Sequence, residues 1–365
     1  MNQSDKEKWM QRALGLARKG EGRTSPNPPV GAVLVKNGRV VGEGFHRKAG
    51  GPHAEVAALK KAGPAAKGAD LFLTLEPCCH HGRTPPCTEA LIERGVRRVF
   101  VGARDPNPLV SGKGIRRLKQ AGIAVETGIL KKECEGLIEF FAKFIRTGSP
   151  YVILKSAQSL DGKIATAGGE SQWITGPQAR KRGHQLRARV DAILVGAETV
   201  IQDNPRLTGR PSPKQERYPM RVVIDPNLRV PLGSRIFSAM PDTRAAVVTT
   251  PGAHPKKKRL EKMGVFLLEI PAKGGTIPFK KILQALAKMN IVSVLVEGGG
   301  ETHSRILKEK MVDRVMWFLA PVLIGGKNAP SSIGGEGMKK LKDALRLRNM
   351  RVERVGPDLL IEGDL

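Results

Sequence analysis

Aromatic residues are scarce in this chain: Phe, Trp and Tyr make up 4% of it. Platforms on which nucleic-acid bases could stack are correspondingly few. Acidic residues are also in short supply, 34 against 62 Lys and Arg, which leaves a net charge of +28. A surplus of that size invites a nucleic-acid partner. The basic residues are scattered, however. Their densest run, HPKKKR at 254–259, lies beside Pro and Gly and reads as an exposed loop. The surplus is therefore read mainly as solvated surface, with no specific nucleic-acid partner. Cysteine is rare too, four in 365 residues, which argues against a disulfide framework. No stretch approaches the ~18 consecutive apolar residues of a membrane span. The start, MNQSDKEKW, has no apolar signal region, so a cytoplasmic protein with no membrane partner is expected. There are no internal repeats or low-complexity segments. The length suggests two domains, each large enough for its own core.

The chemistry-bearing residues that are present concentrate between Pro52 and Thr88, where the chain reads PHAEVAALKK and then TLEPCCHHGRTPPCTEA. His53 and Glu55 stand two apart where an Ala-rich helical pattern begins. Cys78 and Cys87 follow an apolar run, Leu71 to Leu75, that reads as a buried strand. One imidazole and two thiols at a helix start and a strand-to-helix turn suit a tetrahedral Zn2+ site with one open position. A water there would be made acidic near neutral pH. Glu55 is the natural proton carrier beside it, and in the zinc deaminases the Glu of H-x-E is not a ligand. The competing reading is an unconnected core His with buried thiols; the Pro77-Cys78 pair after a strand, with His-Ala-Glu upstream, weighs against it. The two cysteines are nine positions apart, so CHHGRTPP must loop out. Cys79 then reads as a bystander, because Pro77 fixes the backbone before Cys78. His80 and His81 read as facing the pocket or solvent. Cys87 would lie at a helix N-terminus, whose dipole favours a thiolate. Cys134 reads as a buried apolar residue.

In chain order, Trp9, Met10, Ala13, Leu14 and Ala17 recur at helical spacing over 5–19. TSPNPPVG is a loop that holds Asn27 between prolines. GAVLVKNGRVVGEGFH is a hairpin about Asn37-Gly38. The His53 helix, the Leu71 strand and a helix from Thr88 follow, then strand RRVFVGA, turn DPNP, helix GIRRLKQAG, strand IAVETG and a helix from Lys132 to Ile145. Alternating strands and helices imply an α/β layer structure covered on both faces. RTGSP at 146–150 breaks the pattern. YVILKSAQSLDGK restarts it with a strand running into a polar turn, where α/β sheets bind ligands. PQARKRGHQLRARV is a basic helix, DAILVGAET a strand and DNPRLTGR a loop. RVVIDP, AAVVTTP and VFLLEIP are strands, and a helix lies within 276–288. VSVLVEGGGETHSRIL is a buried strand, three glycines and a helix. Such a turn can cradle a phosphate, or be a turn and nothing more.

HAEVAAL, TLEPCCHHGRTPPC, SLDGKIAT and GESQWIT resemble the bifunctional riboflavin-biosynthesis family, in which a pyrimidine deaminase is fused to a pyrimidine reductase. The resemblance covers nearly the whole chain. It implies an N-terminal zinc cytidine-deaminase-like three-layer domain at 1–147 and a C-terminal dihydrofolate-reductase-like domain at 148–365. It implies Zn2+ and NADPH as cofactors and phosphorylated pyrimidines as substrates. The implied reactions are hydrolytic deamination of 2,5-diamino-6-ribosylamino-4(3H)-pyrimidinone 5′-phosphate, then NADPH-dependent reduction of its ribosyl group to ribityl. Carried over residue by residue, Ala157, Trp173, Thr199, Asp203 and the turn Gly299, Gly300, Glu301, Thr302 line the cofactor site. Ser171, Arg187, Leu207, Arg210 and Glu297 contact substrate, and Asn27 hydrogen-bonds the pyrimidine. Arg187 and Arg210 make sense as forks for the ribose phosphate. Each has a plainer reading: solvated arginines, a core Trp173, an Asn27 that caps its own turn. A Val at Gly299 would stand where the backbone approaches the cofactor phosphates, and would resist a positive φ if the turn needs one. Relatives usually have Ser where this chain has Cys79, and often Ser where it has Pro226. A homo-oligomer is expected. The runner-up is an RNA-binding deaminase whose second half is a nucleic-acid module.

These two readings part in a gel shift with bulk RNA across salt. Retention at low salt is expected of any such cation. At ~150 mM salt no sequence-selective binding is expected; finding it would favour the runner-up.

Overall fold

Met10, Ala13, Leu14 and Ala17, read at helical spacing, are all fully buried on one stripe of α1 (Gln3–Arg18). The computed structural model describes residues 1–79, 86–212, 215–238 and 244–365. The chain divides into two compact units, Met1–Ser149 and Pro150–Leu365.

In the first unit, β1 (Gly31–Lys36) and β2 (Arg39–Phe45) form the hairpin. Asn37 at φ 50° and Gly38 at φ 72° supply the left-handed pair that a tight hairpin turn requires. Then come α2 (Ala54–Ala62), β3 (Asp70–Leu75), α3 (Cys87–Glu93), β4 (Arg98–Ala103), α4 (Lys113–Gln120), β5 (Ala124–Thr127), α5 (Lys131–Leu137) and α6 (Glu139–Thr147). The sheet order is β2-β1-β3-β4-β5, with β3, β4 and β5 parallel. Every residue of β3 is buried, because both its faces are covered. Leu71 and Leu73 pack with Ala54, Ala58, Leu91 and Leu118 on one side. Phe72 and Leu75 pack with Met10, Leu14, Phe100 and Cys134 on the other. The result is the three-layer arrangement expected. The single helix expected from Lys132 to Ile145 is instead two. Ile138, at φ −106° and ψ 12°, leaves helical geometry between them and is buried in the core.

The second unit contains β6 (Tyr151–Ser159), α7 (Pro177–Arg187), β7 (Ala192–Gly196), α8 (Ala197–Asp203), the small hairpin β8 (Gly209–Ser212) and β9 (Gln215–Arg217), then β10 (Met220–Ile224) and β11 (Ala245–Thr249). After these come α9 (Pro255–Lys262), β12 (Phe266–Glu269), α10 (Phe279–Lys288), β13 (Ser293–Val296), α11 (Gly300–Lys308), β14 (Arg314–Ala320), β15 (Arg348–Val355) and β16 (Asp358–Asp364). The sheet order is β12-β11-β10-β7-β13-β6-β14-β16-β15. It is parallel from β12 to β14, and β16 and β15 add an antiparallel edge. Val152, Leu154, Leu194, Val222, Val294, Phe279 and Ile306 lie in one core cluster.

HPKKKR is not the loop expected. Pro255 starts α9, where its missing N–H costs nothing, and His254 Nδ1 accepts from the Lys256 N–H. Lys257 is nearly buried, its Nζ 3.0 Å from Thr250 O and 2.8 Å from Glu269. Strand β13 ends at Val296, which pairs with Leu154 of β6 and Leu194 of β7, so Glu297 leaves the sheet between two strands that continue to Ser159 and Gly196.

The second unit has a core cluster of its own, so a fragment from residue 148 onward is expected to fold alone. A cooperative thermal transition by circular dichroism is the expected result; a non-cooperative melt would place the boundary elsewhere.

Candidate functional site

His53 immediately precedes α2, and Cys87 is the first residue of α3. Cys78 follows β3 after Pro77. The three side chains converge. His53 Nδ1 lies 3.2 Å from Cys87 Sγ and 3.7 Å from Cys78 Sγ, and the three donor atoms all lie within 4.8 Å of one another. One imidazole nitrogen and two sulfurs so placed fit a catalytic zinc with its fourth position left to a non-protein ligand. Glu55, in the first turn of α2, is 4% exposed. Burial, and then the Cys78 thiolate, push its carboxyl up to about 7. A carboxyl poised there can take a proton and return it.

Cys87 stands at the helix N-terminus as expected, and its own backbone N–H reaches the other cysteine. The backbone N–H of Cys87 donates to Cys78 Sγ at 3.4 Å. Hydrogen bonds from Cys87 and His53 hold the Cys78 thiol down at about 4 against its burial. The Cys87 thiol is pushed up by its bond to Cys78 and by burial. The Cys87 N–H thus favours a thiolate on Cys78, and a metal bound by both sulfurs would displace any thiol proton that remains. Cys79 is half-buried, and among the described residues it lies outside the converging trio. His80 and His81 lie outside the described residues.

Asn27 does not cap its own turn with its side chain. Its Nδ2 donates to His46 Nε2 at 3.2 Å, and His46 Nδ1 donates to Pro52 O at 3.1 Å. This assignment follows from the carbonyl partner, which fixes the tautomer. The His46 ring stands edge-on to His53 with centroids 5.4 Å apart. Asn27 is thus held beside the His/Cys/Cys cluster by a histidine that the motif reading did not single out.

In the second unit, Gly299 precedes α11, and Gly300, Glu301 and Thr302 are its first turn, with no side chain capping it. Gly299 has φ −75°, so the turn needs no positive φ there. The steric demand falls on its neighbours. A Cβ on Gly298 would lie 2.5 Å from Thr302 Cβ, and one on Gly300 2.4 Å from Ser331 O. A Cβ on Gly299 would meet only Thr199 Oγ1, at 3.9 Å. A Cβ on Gly196 would lie 2.8 Å from Thr302 Oγ1, so Thr199, Gly299 and Thr302 line one wall. An uncapped helix N-terminus beside an open glycine fits the phosphates of a dinucleotide. Glu301 turns away to accept from the Gly335 N–H at 3.0 Å, leaving its backbone to the site.

Ser171 Oγ donates to Asp203 Oδ1 at 3.2 Å, so a residue expected at substrate meets one expected at cofactor. Trp173 is not core: it is 69% exposed, with the Arg180 guanidinium 4.6 Å above its ring. Ala157 lies on β6 and pairs with Phe318 of β14. Pro226 presents its carbonyl to the Thr249 and Thr250 hydroxyls, so its backbone oxygen is engaged where a Ser would offer a donor. The Arg187 fork is also engaged. Its Nε and Nη2 both lie 2.7 Å from the Glu297 carboxylate. Lys155 Nζ is 3.8 Å from the same carboxylate. Burial draws the Glu297 carboxyl up, but Arg187 and Lys155 outweigh it and hold it at about 2. Leu207 is buried with φ 51°, and Arg210 is exposed. Lys155 was not singled out from the sequence. Its signal was there: a lysine in the middle of the buried strand YVILKSAQS.

Residues 150–361 match the model of the RibD C-terminal domain, and residues 3–103 that of the cytidine and deoxycytidylate deaminase zinc-binding region. The chain belongs to the bifunctional RibD family of riboflavin biosynthesis. The RibD of Actinobacillus pleuropneumoniae is 45% identical over 97% of this chain and 94% of its own. The RibD structure from Acinetobacter baumannii is 40% identical with a TM-score of 0.87, covering 100% of both chains. A diaminohydroxyphosphoribosylaminopyrimidine deaminase/5-amino-6-(5-phosphoribosylamino)uracil reductase from Thermotoga maritima is 38% identical with a TM-score of 0.87, covering 99% of both. As a RibD enzyme the chain combines a zinc-binding deaminase domain with an NADPH-using reductase domain. His53, Cys78 and Cys87 offer the donor set that zinc needs.

Glu55→Gln is expected to retain stoichiometric zinc while ammonia release falls by about 10²–10⁴-fold, the usual contribution of a positioned proton carrier. Undiminished release would remove Glu55 from the reaction. Cys87→Ser is expected to lose the metal as well, read by atomic absorption.

Proposed function

We propose that the first unit hydrolytically removes the 2-amino group of 2,5-diamino-6-ribosylamino-4(3H)-pyrimidinone 5′-phosphate. The second unit then reduces the ribosyl group, giving 5-amino-6-ribitylamino-uracil 5′-phosphate. The observation that carries this reading is the convergence of His53, Cys78 and Cys87 beside a buried Glu55, in a chain whose second half has RibD reductase architecture.

His53, Cys78 and Cys87 would hold the metal, which when bound makes a water acidic enough to attack the ring carbon bearing the amine. Glu55 takes the proton of that water and passes it to the departing nitrogen, so ammonia leaves neutral. Burial keeps bulk water from competing for that proton. Asn27, steadied by His46, orients the pyrimidine. In the second unit, bound NADPH supplies the hydride, and the protein orients donor and acceptor. Thr199, Thr302 and the Gly299 backbone line the cofactor side, with Ala157, Trp173 and Asp203. Ser171, Leu207, Arg210, Arg187 and Glu297 line the substrate side. Reduction also consumes a proton. Lys155, beside Glu297 and with its pKa lowered by burial, is placed to give it.

A homo-oligomer is the partner reading we favour. Strand β15 ends the sheet with its outer edge unpaired among the described residues, and Leu323, Leu341, Met350 and Val352 are all more than half exposed nearby in sequence. Edges and apolar patches of this kind are normally covered. No helix among the described residues is long and apolar enough to cross a membrane, which is compatible with the cytoplasm.

Incubation of the purified protein with the diaminopyrimidine, with and without NADPH, tests both steps by product mass. The deaminated product is expected without NADPH and the ribityl product only with it. A chelator is expected to stop the first step while NADPH oxidation on deaminated substrate continues. Reduction that stops with deamination would contradict two separate sites.

A further inference from the structure

One histidine lies under the substrate side of the reductase without belonging to any motif read from the sequence. His184 sits in the last turn of α7. Its Nδ1 is 3.0 Å from Thr208 O, and its Nε2 is 2.8 Å from Arg210 Nη2. A carbonyl can only accept, so Nδ1 carries the proton and donates. An arginine can only donate, so Nε2 presents its lone pair. Both contacts are satisfied together by a single species, the neutral Nδ1–H tautomer. Burial and the Arg187 guanidinium lower the pKa of His184, which favours that species.

The segment tied down in this way runs from Leu207 to Arg210. Leu207 stands at φ 51°, in the left-handed region that a branched apolar residue adopts only when its surroundings hold it. The next residue, Thr208, supplies the carbonyl that His184 binds. Gly209 then lies directly on the end of α7: a Cβ there would fall 2.7 Å from Ala188 N and 3.0 Å from the Arg187 carbonyl carbon. Side-chain and backbone contacts therefore dock this strip on the last turn of α7, and the exposed Arg210 fork is aimed by the imidazole. The charged groups that face His184 are Arg187 on its own helix, Arg210 on β8 and Glu297 beyond β13. Of the two arginine forks expected at the phosphate, Arg187 is engaged by Glu297 through two bonds, which leaves Arg210.

We infer that His184 is a positioning residue of the reductase, which as a neutral hydrogen-bond relay between Thr208 O and Arg210 sets the arginine fork for the phosphate of the substrate. This rests on the reading above that Arg210 contacts the ribosyl phosphate.

The test uses the full chain, the deaminated phosphorylated substrate and its dephosphorylated analogue. His184→Ala is expected to raise KM for the phosphorylated substrate about tenfold, a hydrogen bond's worth, with kcat and NADPH affinity within about twofold. With the dephosphorylated analogue it should match the parent. Gln can present an oxygen where Nε2 was, whereas Asn reaches only the Nδ1 position. His184→Gln should therefore recover most of the loss, and His184→Asn should not. In an Arg210→Ala background, His184→Ala should add nothing. Multiplying effects of the two substitutions, or an equal loss on both substrates, would overturn the relay. If Arg210→Ala leaves KM unchanged, the phosphate reading itself fails. If Arg210→Ala raises KM and His184→Ala does not, that reading stands and the role of His184 falls.

Discussion

The contact between α2 and the glycines of β2 governs the deaminase site. A Cβ at Gly44 would come within 2.6 Å of Ala54 O and Ala58 N, and one at Gly42 within 2.4 Å of Ala58 O. Only strand residues without side chains let the helix backbone settle on the sheet at that depth. The settling puts His53 level with the end of β3, where Pro77 and Cys78 emerge. It also buries Glu55 in the first turn. Burial in turn lifts the Glu55 carboxyl into the range where it can shuttle a proton. A larger side chain on β2 would shift the helix, and with it both His53 and Glu55.

The reductase half relies on a different constraint, charge balance under burial. Glu297, Arg187 and Lys155 have side chains 8%, 22% and 17% exposed. Each loses hydration there, so an unpartnered charge would be costly. The bidentate Arg187–Glu297 pair, with Lys155 alongside, keeps the carboxylate ionised at the carboxyl end of β13. Truncating one partner of such a pair typically costs about 3–5 kcal/mol, so binding-site and folding roles are hard to separate for these residues.

The two units draw on the same topological rule. Polar groups collect at the carboxyl ends of parallel strands. In the first unit β3 and β4 end level, Leu75 beside Ala103; in the second β13 ends first and β6 runs past it. Strand β6 accordingly carries Lys155, Ser156 and Gln158 along its length.

Much of this was legible in residue order, because the signals are local. The hairpin at Asn37-Gly38, the apolar run of β3, His53-x-Glu55 and Pro77-Cys78 each lie within a few residues and depend on backbone preference or periodicity. So does the glycine turn before α11. Other features depend on neighbours far along the chain. The hydrogen bond that favours a thiolate on Cys78 comes from the backbone N–H of Cys87. Lys257 of HPKKKR is nearly buried, and its carboxylate partner Glu269 lies on β12. The Arg187 fork met Glu297, 110 residues away, and the Arg210 fork met His184. Charge partners and tautomers are set by what packing brings within hydrogen-bond range, and no short stretch of sequence contains both halves of those contacts.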